Sequence, residues 1–424
     1  MSGHVLDHLE ARGLVAHVTD RDALRAELSA GPVTFYVGFD PTAPSLHTGN
    51  LVQLLTARRL QLAGHRPLIL VGGATGLIGD PKDAGERTLH AKDVVGSWVE
   101  RIRAQVQRFV DFDGPQPATV VNNLDWTASL PVLDFLRDVG KHFPVNRMLA
   151  RDVVRSRLEA GISYTEFSYV LLQSMDYLEL FRRYGCRLQT GGSDQWGNIT
   201  AGVELVRRAS GAHVHALATP LVTKADGTKY GKTESGTVWL DAELTSPYAL
   251  HQFFLRAEDA MVGAYLRIFT SRPLEEIQNL ERDAAQRPAG REAQRALAHD
   301  ITALVHGEQE ALAVEAAAAA LFGRGDLNVL PEPILAAALT EAGYACLPSL
   351  PALPSLVDAL VDSGLETSRS AARRTIADGG AYVNNERLTD PAAGLEARMA
   401  LHGRWVVLRK GKRSVQGLLL SPEV

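Results

Sequence analysis

The segment at residues 36–51 constrains the fold more than any other part of the sequence. A run of β-forming residues at 33–37 leads into it, and a helical pattern of leucines begins at Leu51. Pro41 and Pro44 exclude a helix between those points. The segment therefore predicts a strand, a turn and the start of a helix. The free N–H groups of a first helical turn favour a bound phosphate.

Further strands alternate with helices along the first part of the chain. The apolar runs at residues 67–71 and 118–122 are typical of strands buried in a parallel sheet, and helical spacing follows the first of them. This alternation predicts an α/β fold, with a Rossmann-like parallel-sheet domain over residues 1–246. Residues 124–165 are irregular and helical, and we expect them to form an insertion in this domain.

The pattern changes beyond this first domain. Strand signals are lost from residue 247, and alanine-rich helical spacing continues to residue 322, which predicts an all-helical domain over 247–322. The proline-bearing stretch 323–354 is predicted to be a linker. Residues 355–424 combine two helical patterns with short strands, which predicts a small α+β domain.

Composition limits the class of protein. Of the 424 residues, 46% are hydrophobic and 22% are charged, as in soluble globular proteins. The net charge of −5 excludes a generally basic surface, so that an RNA partner would need a local basic patch. The two cysteines form no disulfide or metal-binding pattern, and no apolar stretch is long enough to span a membrane. We therefore expect a cytoplasmic protein with no membrane partner and no metal held by its own side chains.

Two other stretches suggest binding to phosphate groups. Residues 224–233 hold three lysines and two glycines, which suits a mobile arm that closes over phosphates; a solvated hairpin loop is the alternative. Residues 369–413 carry an excess of six positive charges, either a site for RNA or a solvated basic surface. The candidate RNA-binding side chains there are Arg369, Arg373, Arg374, Arg409, Lys410 and Lys412.

Taken together, these stretches resemble a known family. The turn at residues 47–50 and the loop at 229–233 resemble the HIGH and KMSKS signatures of class I aminoacyl-tRNA synthetases. Nearly the whole chain resembles the bacterial tyrosyl-tRNA synthetases, with departures at Asn50, Tyr230, Gly231 and Thr233. The most specific matches are residues 36–42, 72–81, 165–169 and 191–199, with Gln173 and Asp176. The tail at 368–374 and 380–384 resembles an S4-type RNA-binding domain.

The resemblance implies an activity and its partners. L-tyrosine would react with ATP, accompanied by Mg²⁺, to give tyrosyl-adenylate and pyrophosphate, and tyrosine would then pass to the 3′ end of tRNA(Tyr). No tightly bound cofactor is implied. Because the tyrosine carboxylate itself attacks the α-phosphorus, the protein needs only to position groups and neutralise charge. The resemblance also implies a homodimer that contacts through residues 124–165, and anticodon recognition by the helical domain.

The resemblance assigns three sets of side chains to the active site. The set that acts on the phosphates consists of Thr42, His47, Asn50, Lys229, Lys232 and Thr233. The set that binds the rest of ATP consists of Asp40, Gly49, Gly192 and Asp194, together with Lys232. The set that binds tyrosine consists of Tyr36 and Asp176 at the hydroxyl, and Asp80, Tyr169, Gln173 and Gln195 around the ammonium group. Lys82 and Arg87 follow the glycine-rich run without an assigned role.

Four alternatives stay open at this point. Tyr169, Gln173 and Asp176 also fit one polar face of an amphipathic helix. Residues 73–79 resemble the glycine fingerprint of NAD(P)-dependent reductases. A non-catalytic RNA-binding relative would keep the fold and the tail. A tryptophanyl-tRNA synthetase would share the architecture, although it would not need a Tyr36–Asp176 pair to read a phenol.

Overall fold

The computed structural model describes residues 3–81, 89–233, 236–347, 353–412 and 414–420. Two compact units emerge: Met1–Asp241 with Glu258–Ala293, and Ala242–Ala257 with Gln294–Val424. Lys82 and Arg87 lie outside the described residues. The division at residues 246, 322 and 354 stays a prediction.

A six-stranded sheet forms the centre of the first unit and confirms the predicted Rossmann-like fold. Its order is β1-β6-β5-β2-β3-β4, and only the pairing of β1 with β6 is antiparallel among its described pairs. The strands are β1 (His17–Val18), β2 (Thr34–Phe39), β3 (Arg66–Val71), β4 (Thr119–Asn122), β5 (Leu188–Gly192) and β6 (His215–Thr219). A separate antiparallel pair consists of β7 (Lys232–Thr233) and β8 (Gly236–Thr237).

The strand order places a crevice at the carboxyl end of β2. From β2 the sheet continues through β3 and β4 on one side, and through β5 and β6 on the other. In open α/β sheets, ligands bind where the strand order reverses in this way. The turn predicted after β2 and the turn after β5 therefore meet at one edge of the sheet.

The helices of this unit cover the sheet and make up much of the insertion. They are α1 (Val5–Ala11), α2 (Arg21–Ala30), α3 (Thr48–Leu62), α4 (Thr75–Ile78), α5 (Lys92–Val106), α6 (Leu124–Thr127), α7 (Val132–Asp134), α8 (Val145–Leu149), α9 (Asp152–Arg155), α10 (Tyr164–Tyr184), α11 (Trp196–Ser210), α13 (Val262–Phe269) and α14 (Leu274–Gln286). Between α7 and α8 lie a π-helical turn, Phe135–Val139, and a 3₁₀ turn, Gly140–His142. The insertion is thus irregular and helical, as predicted.

Two buried arginines tie the carboxyl end of α13 to the rest of the unit. Arg12 donates to the carbonyl oxygens of Arg267 and Thr270, each at 2.9 Å, and Arg59 donates to those of Ile268 and Thr270 at 2.8 and 2.9 Å. Carbonyls at a helix end need such donors because the helix itself supplies none. Burial lowers the pKa of Arg59 to about 9, so its guanidinium keeps its charge at neutral pH.

The second unit combines helices with a five-stranded sheet. Its helices are α12 (Pro247–Leu255), α15 (Glu292–His306, which begins at the boundary with the first unit), α16 (Glu308–Leu321), α17 (Glu332–Ala342), α18 (Leu356–Asp362) and α19 (Arg369–Ala377). Its sheet has the order β11-β10-β12-β13-β9, with β9 (Tyr344–Leu347), β10 (Ala381–Val383), β11 (Glu386–Leu388), β12 (Trp405–Lys410) and β13 (Ser414–Leu420). The α+β character of the tail is confirmed. No helix in the described part of the chain combines the length and the apolarity needed to cross a membrane.

The stretch predicted to be a linker is structured where it is described. Pro331 is the N-cap residue of α17, so this proline directly precedes a helix. Strand β9 then pairs in parallel with β13. In the sequence, prolines at the start of helices and in turns look the same as the prolines of a linker.

Candidate active site

One end of the crevice, where an amino acid is expected to bind, is built around Tyr36 and Asp176, which the sequence assigned to a substrate hydroxyl. Tyr36 lies on β2 and Asp176 on α10, and each side chain is about 1% exposed. Burial raises the pKa of Tyr36 well above its ordinary value, and the nearby Asp176 carboxylate adds to the effect. The Tyr36 hydroxyl is therefore a donor at neutral pH. It is buried, and the described residues offer it no hydrogen-bond partner.

Two residues that the sequence did not single out hold the Asp176 carboxylate in place. Asn123 Nδ2 donates to Asp176 Oδ2 at 3.0 Å, and Trp126 Nε1 donates to Oδ1 at 2.9 Å. Both donors are buried and both follow β4, at the same sheet edge as the turn after β2. The general position of polar residues at the carboxyl ends of parallel strands was the one sequence signal that could have found them.

The ionisation of Asp176 predicts a pH dependence of stability. Burial raises its pKa from the ordinary 3.8 to about 7, opposed by the bonds from Asn123 and Trp126 and assisted by the charges of Asp40 and Glu179. Between those two pH values the unfolded chain releases this proton and the folded chain keeps it, so raising the pH favours unfolding. We expect the free energy of unfolding, measured by urea titration, to fall across this range relative to that of Asp176→Asn. If the free energies of unfolding of the wild type and of Asp176→Asn changed in parallel with pH, the raised pKa of Asp176 would be contradicted.

A line of hydrogen bonds runs from Asp176 to the turn after β2. Asn123 Nδ2 also donates to Thr75 Oγ1 at 2.9 Å, and Thr75 Oγ1 donates to Asp40 Oδ1 at 2.6 Å. The hydroxyl of Tyr169 donates to the other oxygen of Asp40, also at 2.6 Å. Asp176 and Tyr169, which are expected to bind tyrosine, are thus in one network with Asp40, which is expected near the ATP ribose.

A second polar cluster surrounds Asp80, the expected partner of an ammonium group. Gln195 Nε2 donates to Asp80 Oδ2 at 2.8 Å, and Asn198 Nδ2 donates to Oδ1 at 3.2 Å. Arg151, from the insertion, donates to the side-chain oxygen of Asn198. Gln173 Oε1 is buried without a partner among the described residues, so it is available to a donor. Asn198 and Arg151 are the members that the sequence did not identify.

The HTGN turn forms the amino end of α3 by a reciprocal cap. His47 Nδ1 accepts from the backbone N–H of Gly49, and Asn50 Oδ1 accepts from the backbone N–H of His47, each at 3.0 Å. This is a capping box in which histidine and asparagine take the usual roles of serine and glutamate. A Cβ on Gly49 would lie 2.8 Å from His47 Cε1, which explains the glycine. Asn50 thus stabilises the start of α3, independently of any contribution to ATP binding.

The loop at residues 224–233, called the lysine loop below, reaches this turn. Gly231 has a φ of +98°, and a Cβ there would lie 2.3 Å from Thr48 Oγ1. Backbone bonds join Thr48 N to Val238 O at 3.1 Å and Val238 N to Gly231 O at 3.0 Å. Trp239, which the sequence did not single out, has its ring centre 6.1 Å from that of His47. Two segments separated by about 180 residues of sequence therefore form one wall of the crevice.

An aromatic cluster fixes the base of the lysine loop. The ring centres of Tyr230 and Tyr265, on α13, are 4.2 Å apart, and the Tyr265 hydroxyl donates to the Thr223 carbonyl at 2.8 Å. Lys229, between those anchors, is exposed. The backbones of Lys232 and Thr233 form β7, but their side chains lie outside the described part of the structure.

The other residues that were expected to bind ATP border the same crevice. Thr42 is exposed and its N–H donates to the Asp40 carbonyl at 2.8 Å. Gly192 ends β5, and Asp194 follows in the 3₁₀ turn Ser193–Gln195 with an exposed side chain. A Cβ on Gly192 would lie 2.5 Å from Asp194 Oδ1, so only glycine leaves that carboxylate its position.

The predicted RNA-binding residues of the tail fall into two groups. Arg369, Arg373 and Arg374 lie on α19 with exposed side chains, although Arg369 Nε donates to Asp358 at 2.7 Å. On β12, Lys410 pairs with Glu366 at 3.0 Å, while Arg409 is 7% exposed. Lys412 follows β12 and is exposed.

The glycine run at residues 73–79 does not form a dinucleotide site. The helix that follows β3, α4, ends after four residues, whereas a Rossmann fingerprint needs a longer helix to receive the pyrophosphate. A Cβ on Gly73 would lie 2.4 Å from Asn122 Oδ1, so this glycine permits packing against β4. The reductase alternative is therefore wrong.

Known proteins share both the sequence and the fold. The family described as tRNA synthetases class I (W and Y) matches residues 28–323, and the Tyrosine--tRNA ligase SYY-like C-terminal domain matches residues 348–416. The Tyrosine--tRNA ligase of Kineococcus radiotolerans is 63% identical over 97% of each chain. That of Acidothermus cellulolyticus is 59% identical over 98% of this chain and 99% of its own.

Solved structures of tyrosyl- and tryptophanyl-tRNA synthetases share this fold. A C-terminally truncated mitochondrial tyrosyl-tRNA synthetase of Aspergillus nidulans superposes with a TM-score of 0.66 at 33% identity, covering 73% of this chain and 92% of its own. A tryptophanyl-tRNA synthetase of Encephalitozoon cuniculi shares the fold alone, with a TM-score of 0.53 at 14% identity over 72% of this chain and 86% of its own. From its full-length identity to the curated ligases and its match to both domains, the chain belongs to the tyrosine–tRNA ligase family of class I aminoacyl-tRNA synthetases.

Proposed function

We propose that the protein activates L-tyrosine with ATP and transfers the tyrosyl group to tRNA(Tyr), and that Tyr36 and Asp176 select the amino acid. The observation that carries this proposal is the buried donor–acceptor pair. Tyr36 offers an O–H without a partner in the described structure, and Asp176 offers a carboxylate fixed by Asn123 and Trp126. A phenol can satisfy both groups, whereas phenylalanine would leave them unpaired. Tyrosyl-tRNA synthetases are known to reject phenylalanine for this reason.

The ammonium group of tyrosine would bind at the middle of the crevice. Asp80 carries the negative charge, Gln173 Oε1 supplies a buried acceptor, and Gln195 holds Asp80 in place. Tyr169 would act through its bond to Asp40, close to both substrates. These groups would direct the carboxylate of tyrosine toward the α-phosphorus of ATP.

The first reaction needs an in-line displacement. An oxygen of the tyrosine carboxylate forms a bond to the α-phosphorus of ATP, the bond from that phosphorus to the bridging oxygen breaks, and pyrophosphate leaves with the electron pair. In the second step a ribose hydroxyl of the terminal tRNA nucleotide attacks the carbonyl carbon, and AMP leaves. Positioning and charge neutralisation supply the catalysis, since no step needs a protein nucleophile.

Two segments would hold the ATP phosphates. The amino end of α3 presents His47 and backbone N–H groups, and Asn50 keeps that turn in shape. The lysine loop would bring Lys229, Lys232 and Thr233 over the β and γ phosphates, with Thr42 facing them. Mg²⁺ would enter with ATP as part of the substrate. Asp40, Gly49, Gly192 and Asp194 would border the ribose and adenine.

The insertion would form the contact of a homodimer. Its surface carries several large apolar side chains, and an apolar surface of this kind is typical of an interface between proteins. Those more than a third exposed are Leu124, Val132, Leu133, Leu136, Val145, Leu149, Leu158 and Tyr164. The helical segment 247–322 would recognise the anticodon, the tail would bind tRNA through its basic residues, and the protein would work in the cytoplasm.

Pyrophosphate exchange tests the proposed function directly. With each of the twenty amino acids in turn, we expect tyrosine alone to stimulate exchange of labelled pyrophosphate into ATP. Phenylalanine should fail because it leaves Tyr36 and Asp176 without partners. Exchange stimulated by tryptophan instead of tyrosine, or by no amino acid, would overturn the proposal.

A further inference from the structure

An arginine of the insertion lies behind the polar cluster that surrounds Asp80. Arg151 directly precedes α9, and its guanidinium donates to the side-chain oxygen of Asn198. The guanidinium also lies beside the start of α11, since a Cβ on Gly197 would be 3.4 Å from its Nη2 atom. Burial lowers the pKa of Arg151, and the charge of Asp80 opposes that effect, so the two charges lie close enough to interact.

The stability of the fold does not explain an arginine at this position. Helix α11 has 15 residues, and Gly197, beside the guanidinium, is in its first turn. The amino end of a helix carries a partial positive charge, so a cation is unfavourable there. Arg151 is also half-buried, which adds the cost of removing a charge from water. Both costs point to a role of Arg151 in the neighbouring site.

A series of hydrogen bonds leads from Asn198 to Asp80. The buried Asn198 Nδ2 donates to Asp80 Oδ1 at 3.2 Å and to Gln195 Oε1 at 2.9 Å. Gln195 Nε2 in turn donates to Asp80 Oδ2 at 2.8 Å. Each oxygen of the carboxylate therefore accepts from one amide. Because an ionised carboxylate only accepts, both amides have to face Asp80 with their nitrogen atoms.

A group that only donates fixes the orientation of these amides. The oxygen and nitrogen of an amide side chain are similar in size, so sterics alone do not decide which of them faces Asp80. Arginine has no acceptor, so Asn198 has to turn its oxygen toward Arg151 and its nitrogen toward Asp80. The same nitrogen holds the oxygen of Gln195, which turns the Gln195 nitrogen toward Asp80. Arg151 and Asp80 thus set the direction of every hydrogen bond between them.

This arrangement suits a carboxylate that has to bind a cation. An arginine bonded directly to Asp80 would compete with a substrate ammonium group for the carboxylate oxygens. The amides of Asn198 and Gln195 hold the carboxylate by hydrogen bonds without cancelling its negative charge. Because Asn198 lies between the guanidinium and Asp80, Arg151 can orient the site at the distance of one side chain.

We propose that Arg151 is a positioning residue that holds Asp80 in the orientation that binds the ammonium group of the amino acid. It acts through Asn198 and Gln195, without contacting the substrate itself. This inference rests on the proposed function, because it assumes that the ammonium group of tyrosine binds at Asp80. It adds to the reaction a residue of the insertion, for which the proposed function gives only a contact between subunits.

The test compares variants of the full-length protein in tyrosine-dependent pyrophosphate exchange. Arg151→Gln is expected to raise the KM for tyrosine about tenfold, because glutamine can accept as well as donate and no longer fixes the Asn198 amide. The KM for ATP should stay within about twofold. Arg151→Lys should restore most of the tyrosine KM, since lysine also only donates. Arg155→Gln is the matched control, as it removes an exposed arginine of α9 that pairs with Asp152.

Two competitive inhibitors separate positioning from a general loss of structure. Tyrosinol and 3-(4-hydroxyphenyl)propan-1-ol differ only in the ammonium group. In Arg151→Gln the inhibition constant of tyrosinol should rise about tenfold, while that of the second compound should change less than about twofold. Equal weakening of both inhibitors, an unchanged tyrosine KM, or a lysine variant as defective as the glutamine variant would overturn the proposal. Absence of tyrosine-dependent exchange in the wild type would refute the proposed function instead.

Discussion

Replacing Asp176 with asparagine is expected to lower kcat/KM for tyrosine in pyrophosphate exchange by about 10²- to 10³-fold. The amide cannot accept from Asn123, Trp126 and a substrate hydroxyl at once, because its nitrogen is a donor. One substrate hydrogen bond and one buried protein donor would be lost, at about 1–3 kcal/mol each. Every 1.4 kcal/mol is tenfold. The KM for ATP should change much less, since Asp176 lies at the amino-acid end of the crevice.

Glu179→Gln is the control for this experiment. Glu179 lies on the same helix, one turn further along, and its carboxylate pairs with Arg182 and Arg183. This variant should keep the activity of the wild type within about twofold, as surface ion pairs contribute little. If Asp176→Asn were equally active, Asp176 would have no role in reading the substrate.

Replacing Lys232 with alanine is expected to reduce the rate of adenylate formation by about 10²- to 10³-fold, the usual cost of one preorganised group that stabilises developing charge. Gly231, the preceding residue, lies against the first turn of α3, where the phosphates would bind. Loss of the ammonium group should leave the negative charge of the departing pyrophosphate without its partner. Rapid mixing with ATP at saturating tyrosine would measure this rate.

Binding of tyrosine alone should hardly change in Lys232→Ala, since the amino-acid end of the crevice lies elsewhere. Equilibrium dialysis with labelled tyrosine measures this directly. Lys224→Ala removes the same charge from the other end of the same loop and should keep most of the activity. Equal losses in the two lysine variants would indicate a general electrostatic effect and would refute a specific role for Lys232.

The sequence predicted the parts of the fold that have local signals. The β2–turn–α3 unit followed from β-forming residues, two prolines and a leucine pattern, and β3 and β4 followed from apolar runs. Strand β1 has two residues and exists because β6 offers it a partner, so periodicity could not predict it. In the same way, β9 is a strand because it pairs with β13, and the prolines around it suggested a linker.

Candidate site residues can be named from the sequence where one residue carries the motif, and not where a partner comes from another element. Tyr36, Asp176 and the two segments proposed to bind phosphate could be named from the sequence. Asn123 and Trp126 follow β4 about 50 residues before the carboxylate they hold, and no local pattern connects them. Tyr265 supports the lysine loop from α13, and only the packed structure brings it to Tyr230.

The bonded line from Asp176 through Asn123 and Thr75 to Asp40 restricts how amino-acid specificity could evolve. Successive side chains in this line are joined by hydrogen bonds. A substitution at one of them therefore leaves the polar groups of its neighbours without a hydrogen-bond partner. Mutational effects along this line should therefore be epistatic, with harmful single steps and tolerated combinations. A descendant that charges a different amino acid would have to change several of these residues together, or first pass through variants that activate tyrosine poorly.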